Sequence, residues 1–158
     1  MTELDQYLRI GLWGVEYLLP SSASISIEQR DDLILNDEPA DSNITAWRAV
    51  ESERWPAFYL NAELELTRGD DWQRAVFLEA RPHPIGLIAD EVELLPRADV
   101  HVEPFTPLGP PPTPRGHLFS GAWVRGNQLI LLFEPDGLIS YLQKLGEAEN
   151  IRQTRRIE

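Results

Sequence analysis

Three imidazoles, at His83, His101 and His117, are the first places to look for acid–base or metal chemistry in this sequence. Each stands alone, without the HExxH or paired spacing that puts two imidazoles on one metal. His117 lies close to Ser120, but a hydroxyl and an imidazole near in sequence, without an ordering acid, do not make a triad. Carboxylates come in pairs at Asp31-Asp32, Asp70-Asp71 and Asp90-Glu91, and two strand-borne acids facing one cleft could run general acid–base hydrolysis. Asp90 with Glu79 is the best pair on offer. Among 26 acidic residues, however, such pairs read more simply as solvated faces. No phosphate-cradling loop, dinucleotide fingerprint or GxSxG elbow occurs. The absence of cysteine removes disulfides, thiolate ligands and a thiol nucleophile together. The expectation is a chain with no catalytic residues, no metal and no cofactor.

Composition narrows the partners. A net charge of −12 over 158 residues repels phosphate backbones and anionic lipid surfaces, which excludes nucleic acid and direct membrane insertion as first readings. The opening residues carry acids and no basic region before their apolar run, unlike a signal peptide. No apolar run approaches the roughly 18 residues of a membrane span. A cytoplasmic protein is expected. An apolar content of 42% supports one sizeable core and one domain.

The chain is organised around residues 75–95, where two apolar runs, 75–79 and 85–95, flank Arg81-Pro82-His83-Pro84. Val, Ile, Phe and Leu in the runs and prolines in the gap predict a β-hairpin. Residues 7–12 and 16–19 form a second hairpin about Trp13-Gly14, with Gly14 in the strained turn position. Residues 24–28 alternate polar and apolar, as a half-buried strand does. Residues 30–42 read as a mobile acidic loop pinned by Leu33-Ile34-Leu35. Residues 45–50 and 55–60 make a third hairpin, with Pro56 at a strand start or edge. Residues 61–67 fit either a strand tail or one helical turn. A short strand is expected at 100–105, then a proline-rich loop at 107–116 that fits a stiff surface connection or a ligand for an aromatic-lined groove. Residues 118–125 and 128–133 flank Gly126-Asn127 in a last hairpin. Residues 136–145 carry Leu138, Ile139, Leu142 and Leu145 at helical spacing, with Gly146 placed as a C-terminal cap. No internal repeat of 20–50 residues is visible. The pattern predicts a mostly-β domain over residues 1–146 and a charged C-terminal tail over 147–158. Of the five tryptophans, Trp13 at a turn and Trp55 leading a strand are the candidates for a partner surface, and the others for the core.

Three segments resemble CheW-like domains, the adapter modules of bacterial chemosensory arrays. The first is Tyr7-Leu8-Arg9-Ile10-Gly11-Leu12 with Glu16-Tyr17-Leu18-Leu19-Pro20. The second is Ile85-Gly86-Leu87-Ile88-Ala89-Asp90-Glu91-Val92. The third joins Gly121-Ala122-Trp123-Val124, Gln128-Leu129-Ile130-Leu131-Leu132-Phe133 and Leu138-Ile139. The resemblance implies two intertwined five-stranded SH3-like β-barrel subdomains with a C-terminal helix, no enzymatic activity and no cofactor. It implies protein partners: a CheA-type histidine kinase and the cytoplasmic tip of a chemoreceptor. Partner contacts are expected at Ile25, Ile27, Val50, Trp55 and Phe58 on the first subdomain and at Ile88 and Val92 on the second, each of which could equally be core.

The sequence departs from the family where an Asn-Leu-Arg-Gly turn is usual; here that place reads Ala49-Val50-Glu51-Ser52. The usual Glu-Ile after the first strand pair reads Ser26-Ile27. These departures suggest a divergent adapter, in chemotaxis or in pilus-based motility. Two other classes remain open from sequence: a homo-oligomeric scaffold that no longer binds the kinase, and a small acidic barrel enzyme.

Overall fold

The computed structural model describes residues 6–36, 43–106, 109–110 and 117–157, with helix side chains as far as Gly146. Among these residues twelve strands and one long helix follow in order. The first hairpin is Tyr7–Leu12 (β1) and Val15–Pro20 (β2), joined by Trp13-Gly14 with φ of 52° and 82° at the two turn positions. Positive φ at both positions matches the right-handed strand twist, which explains a glycine at one of them. A 3-10 turn leads into Ser24–Gln29 (β3), followed by Ile34–Leu35 (β4), Ala46–Val50 (β5) and Glu53–Phe58 (β6). The second half holds Arg74–Leu78 (β7), Ile85–Ala89 (β8), Glu91–Leu95 (β9), Val102–Pro104 (β10), Phe119–Arg125 (β11) and Gln128–Phe133 (β12). Helix α1, Pro135–Ile157, closes the described chain.

The strands form two six-stranded sheets, β10-β11-β12-β2-β1-β9 and β3-β7-β8-β6-β5-β4. The mostly-β class and the intertwining agree with expectation; each sheet has six strands rather than five, the short edge strands β10 and β4 being the additions. The two sheets have the same plan. In each, a hairpin from one half of the chain joins strands from the other half through a parallel pair, β2–β12 or β6–β8. The repeat is one of topology and leaves no trace as repeated residues.

The central apolar run is not one strand. It breaks at Asp90, where the chain leaves the second sheet as β8 and enters the first as β9. The Asp90 N–H donates to the Gly11 carbonyl at 2.9 Å. One carboxylate oxygen accepts from the Trp13 N–H at 2.8 Å, and the other from the Tyr59 hydroxyl at 2.6 Å. Burial, then this bond and the nearby carboxylate charge, push the Tyr59 phenol well above its ordinary value of 10.

Period-2 alternation sorts side chains into three apolar layers. Leu8, Ile10 and Leu12 of β1 meet Val76 and Leu78 of β7, Ile85 and Leu87 of β8, and Leu138, Ile139 and Leu142 of α1 in a layer shared by both sheets. Ala75, Phe77 and Ile88 face away from it into the second sheet's own interior, with Trp72, Tyr59 and Leu33. Leu18, Ile130 and Leu132 do the same in the first sheet, with Val100. Leu33 thus anchors the acidic segment as expected, while residues 37–42 of that segment, and most of the proline-rich stretch, lie outside the described residues.

Two local expectations are corrected, and a third is met in one of its two forms. Pro56 sits inside β6, not at its start, but pairing with β8 begins only at Ala57, so the strand is locally an edge at the proline. Residues 61–65 are neither strand nor helix: the Asn61 side chain accepts from the N–H groups of Glu63 and Glu65 and ties off a tight loop. Gly146 does not end the helix, whose backbone runs on to Ile157, so the charged tail is helical. Gly137 matters more, since a Cβ there would collide with the His117 carbonyl and hold the helix start off the chain leading into β11.

Glu51 begins the β5–β6 turn at φ 55°, a conformation costly for a side-chain-bearing residue. Replacing it by glycine should stabilise the fold by about 0.5–1 kcal/mol, read as a higher denaturant midpoint. The raised Tyr59 pKa means the folded state holds a proton that the unfolded state releases near pH 10. Stability should therefore be insensitive to Tyr59 ionisation below pH 10 and fall above it. Tyr59→Phe should flatten that alkaline loss, at the cost of about 1 kcal/mol or more at neutral pH for the missing bond.

Candidate partner surface

β3 is built inside out. Its serines and Glu28 are half-buried, and its isoleucines point to solvent. The cause is Arg48 on β5, which reaches across the open seam of the curled sheet. It donates to the Ser26 hydroxyl at 3.0 Å and the Glu28 carboxylate at 2.9 Å, with its guanidinium 5.0 Å over the Trp55 ring. A half-buried charge is held best by polar partners, and the face of β3 towards Arg48 supplies them in Ser26 and Glu28. Ile25 and Ile27 are left 43% and 42% exposed.

β9 holds the matching position in the other sheet. Val92 stands opposite Ile10 and Leu94 opposite Leu8, so both extend the shared layer past its covered part. Val92 is half-buried against that core, and Leu94 is 53% exposed. Ile27 stands opposite Val76 and extends the same layer from the other sheet. The edge strands β3 and β9 therefore carry apolar side chains out of the core to the surface. Edge strands with exposed apolar groups are candidates for protein contact. In the first sheet, Arg9 clips β1 to its neighbours through Glu16 at 2.6 Å and Glu93 at 2.7 Å, and so fixes the position of β9.

Of the seven residues expected at partner contacts, Ile25, Ile27 and Val92 fall on this rim. Val50 is half-buried at the end of β5 beside the Glu51-Ser52 turn. Trp55 is half-buried, packed on the second sheet's core and 6.1 Å from the Phe77 ring. Phe58 and Ile88 are fully buried in two different layers and have no surface to present in this fold. Sequence reasoning missed Leu94, although its i, i+2 spacing from Val92 placed it on the same face. Trp13 is 51% exposed, its ring stacked 6.1 Å from Tyr59.

The Asp90 carboxylate is bound on both oxygens by Trp13 and Tyr59, and the register puts Asp90 and Glu79 at opposite ends of the β7–β8 pair. His101 pairs with Glu103 at 3.0 Å on an exposed strand end. Among the described residues no three His, Asp or Glu side chains converge as a metal site requires, no buried side-chain polar atom lacks a partner, and no helix is long and apolar enough to cross a membrane.

No family model and no curated protein matches the sequence. The fold does have a solved counterpart: the scaffolding protein TtCheW from Thermoanaerobacter tengcongensis superposes with a TM-score of 0.53 over 83% of this chain and 89% of that one, at 17% identity. The chain therefore has a CheW-like fold, reached through a divergent sequence. At this identity the likeness is one of fold, and the counterpart is a scaffolding protein.

Burial separates surface from core by experiment. Ile27→Asp should change folding stability by less than about 0.5 kcal/mol. Trp55→Ala, which removes a ring from the second sheet's core and from Arg48, should cost about 2–4 kcal/mol in urea denaturation. Equal losses from the two would place Ile27 in the core.

Proposed function

We propose that this chain is a non-enzymatic adapter that couples the cytoplasmic tips of chemoreceptors to a CheA-type histidine kinase, in chemotaxis or pilus-based motility signalling in the cytoplasm. The observation that carries this reading is the apolar rim of Ile25, Ile27, Val92 and Leu94 on a CheW-like fold. A scaffold needs rigid surfaces that exclude water against a partner, and edge strands continuous with a core supply them. Val50 and Trp55 belong to the proposed contact region through the β5–β6 hairpin. Phe58 and Ile88 support the strands from beneath.

The Glu51-Ser52 turn favours a second reading. It stands where CheW-like domains usually carry Arg-Gly, and it places an acid at a strained turn tip. A scaffold that assembles with itself and has given up the kinase contact fits that change.

A pull-down from native lysate with tagged wild-type protein and the Ile27→Asp variant, read by mass spectrometry, distinguishes the readings. Recovery of a CheA-type kinase or a receptor by the wild type, lost in the variant, is the expected result. Recovery of this chain alone would replace the adapter reading with the self-assembling scaffold.

A further inference from the structure

A recessed surface lies on the face of the β5–β6 hairpin opposite to Arg48 and Trp55. It is a groove of about 460 Å³ between the β5–β6 hairpin, the turn before β8 and helix α1. Trp47, Pro56 and Ile85 supply its apolar walls, and Arg54, Arg81 and His83 stand among them. The volume is within the ordinary range of ligand sites, roughly 300–1,000 Å³.

The charged side chains of its lining are both arginines. The chain has 26 acidic residues against 14 basic ones, so an exposed arginine has many carboxylates to choose from. The partly buried Arg9, Arg30 and Arg48 each take one. Arg54 and Arg81, like Arg68, Arg74 and Arg125, make no ion pair among the described residues; what sets them apart is that both line one groove with no acidic residue in its described lining. The Arg54 guanidinium lies 5.7 Å over the Trp47 ring instead. The turn that carries Arg81 is held to α1, whose Gln143 side-chain amide donates to the Arg81 carbonyl at 2.9 Å. Two guanidiniums without a described carboxylate therefore stand on separate walls, β6 and the β7–β8 turn, of one apolar groove. Guanidiniums are made for carboxylates, and lying over an aromatic face leaves a guanidinium's N–H edge able to pair with one.

We propose that this groove is a docking site for an acidic peptide segment of a partner protein, with an apolar side chain between Trp47, Pro56 and Ile85 and carboxylates on Arg54 and Arg81. A segment with several carboxylates suits guanidiniums on two walls better than a single anionic head group does. The surrounding negative charge of the chain would reject acidic peptides everywhere else, so the site selects as well as binds.

A displayed library of random nonapeptides, selected on the folded full chain and in parallel on the Arg54→Glu/Arg81→Glu double variant, tests the proposal. Both arginines are exposed, and matching melting curves would verify that the variant folds. The neutral Arg81→Gln variant serves if the double variant does not fold. The wild type should enrich peptides with acids flanking an apolar residue. A synthetic copy of the best one should lose at least about tenfold in affinity on the variant and weaken as salt rises. Enrichment without acidic bias, equal binding to the variant, or no enrichment would overturn the proposal. Binding of laurate in place of any peptide would make the groove a small-amphiphile site and overturn it too.

Discussion

Asp90 is the constraint on which the rest of this structure depends. One residue separates the last position of β8 from the first of β9, and in that space the chain changes sheets. The turn is held from both sides. The first sheet contributes the Gly11 carbonyl and the Trp13 N–H, and the residue after β6 contributes the Tyr59 hydroxyl. A carboxylate accepting two bonds is stronger than a neutral acceptor would be, and it fixes the crossing of the chain between the sheets. Each sheet borrows a hairpin from the other half of the chain. Neither half can complete its own sheet, and the shared layer of Leu8, Ile10, Val76 and Leu87 exists only when both are in place. The two sheets therefore share one apolar layer.

Arg48 sets the second constraint, and it connects folding to the surface. Curling the second sheet brings β3 near β5, although three strands lie between them in the sheet. An arginine placed in that seam is held best by polar partners, and β3 supplies Ser26 and Glu28. Alternation then turns Ile27 outward, and Ile25 stands exposed in the register shift between Ser24 and Ser26. The place of Ile27 on the apolar rim is thus a consequence of a polar seam. In a chain with net charge −12, such uncharged strips are also where a partner can approach without crossing a repulsive field.

Much of the fold is legible in local pattern. Trp13-Gly14 and Gly126-Asn127 mark their hairpins because two-residue turns demand particular backbone geometry, and the apolar spacing of Leu138, Ile139 and Leu142 marks the helix face. The site is less legible. Ile25 and Ile27 alternate with serines just as buried isoleucines would, and only the partner of the inward face tells the two cases apart. Phe58 and Ile88 have the composition of contact residues and are core. Leu94 is easily passed over beside Val92 because its exposure depends on where the shared layer ends. Gly146 has the look of a cap, but only an ordinary contact with Phe58 would meet a side chain there, and the helix continues.

Residue types and their periods alone determined the short strands, the hairpin turns and the late helix. These follow from interactions within a few residues along the chain. The tertiary structure decided the rest: that the run from Ile85 to Leu95 belongs to two sheets, that β3 faces solvent with its apolar side, and that Arg54 and Arg81 stand about one groove. Each depends on which distant strand lies alongside, and a period of two residues is the same whichever face the fold turns inward.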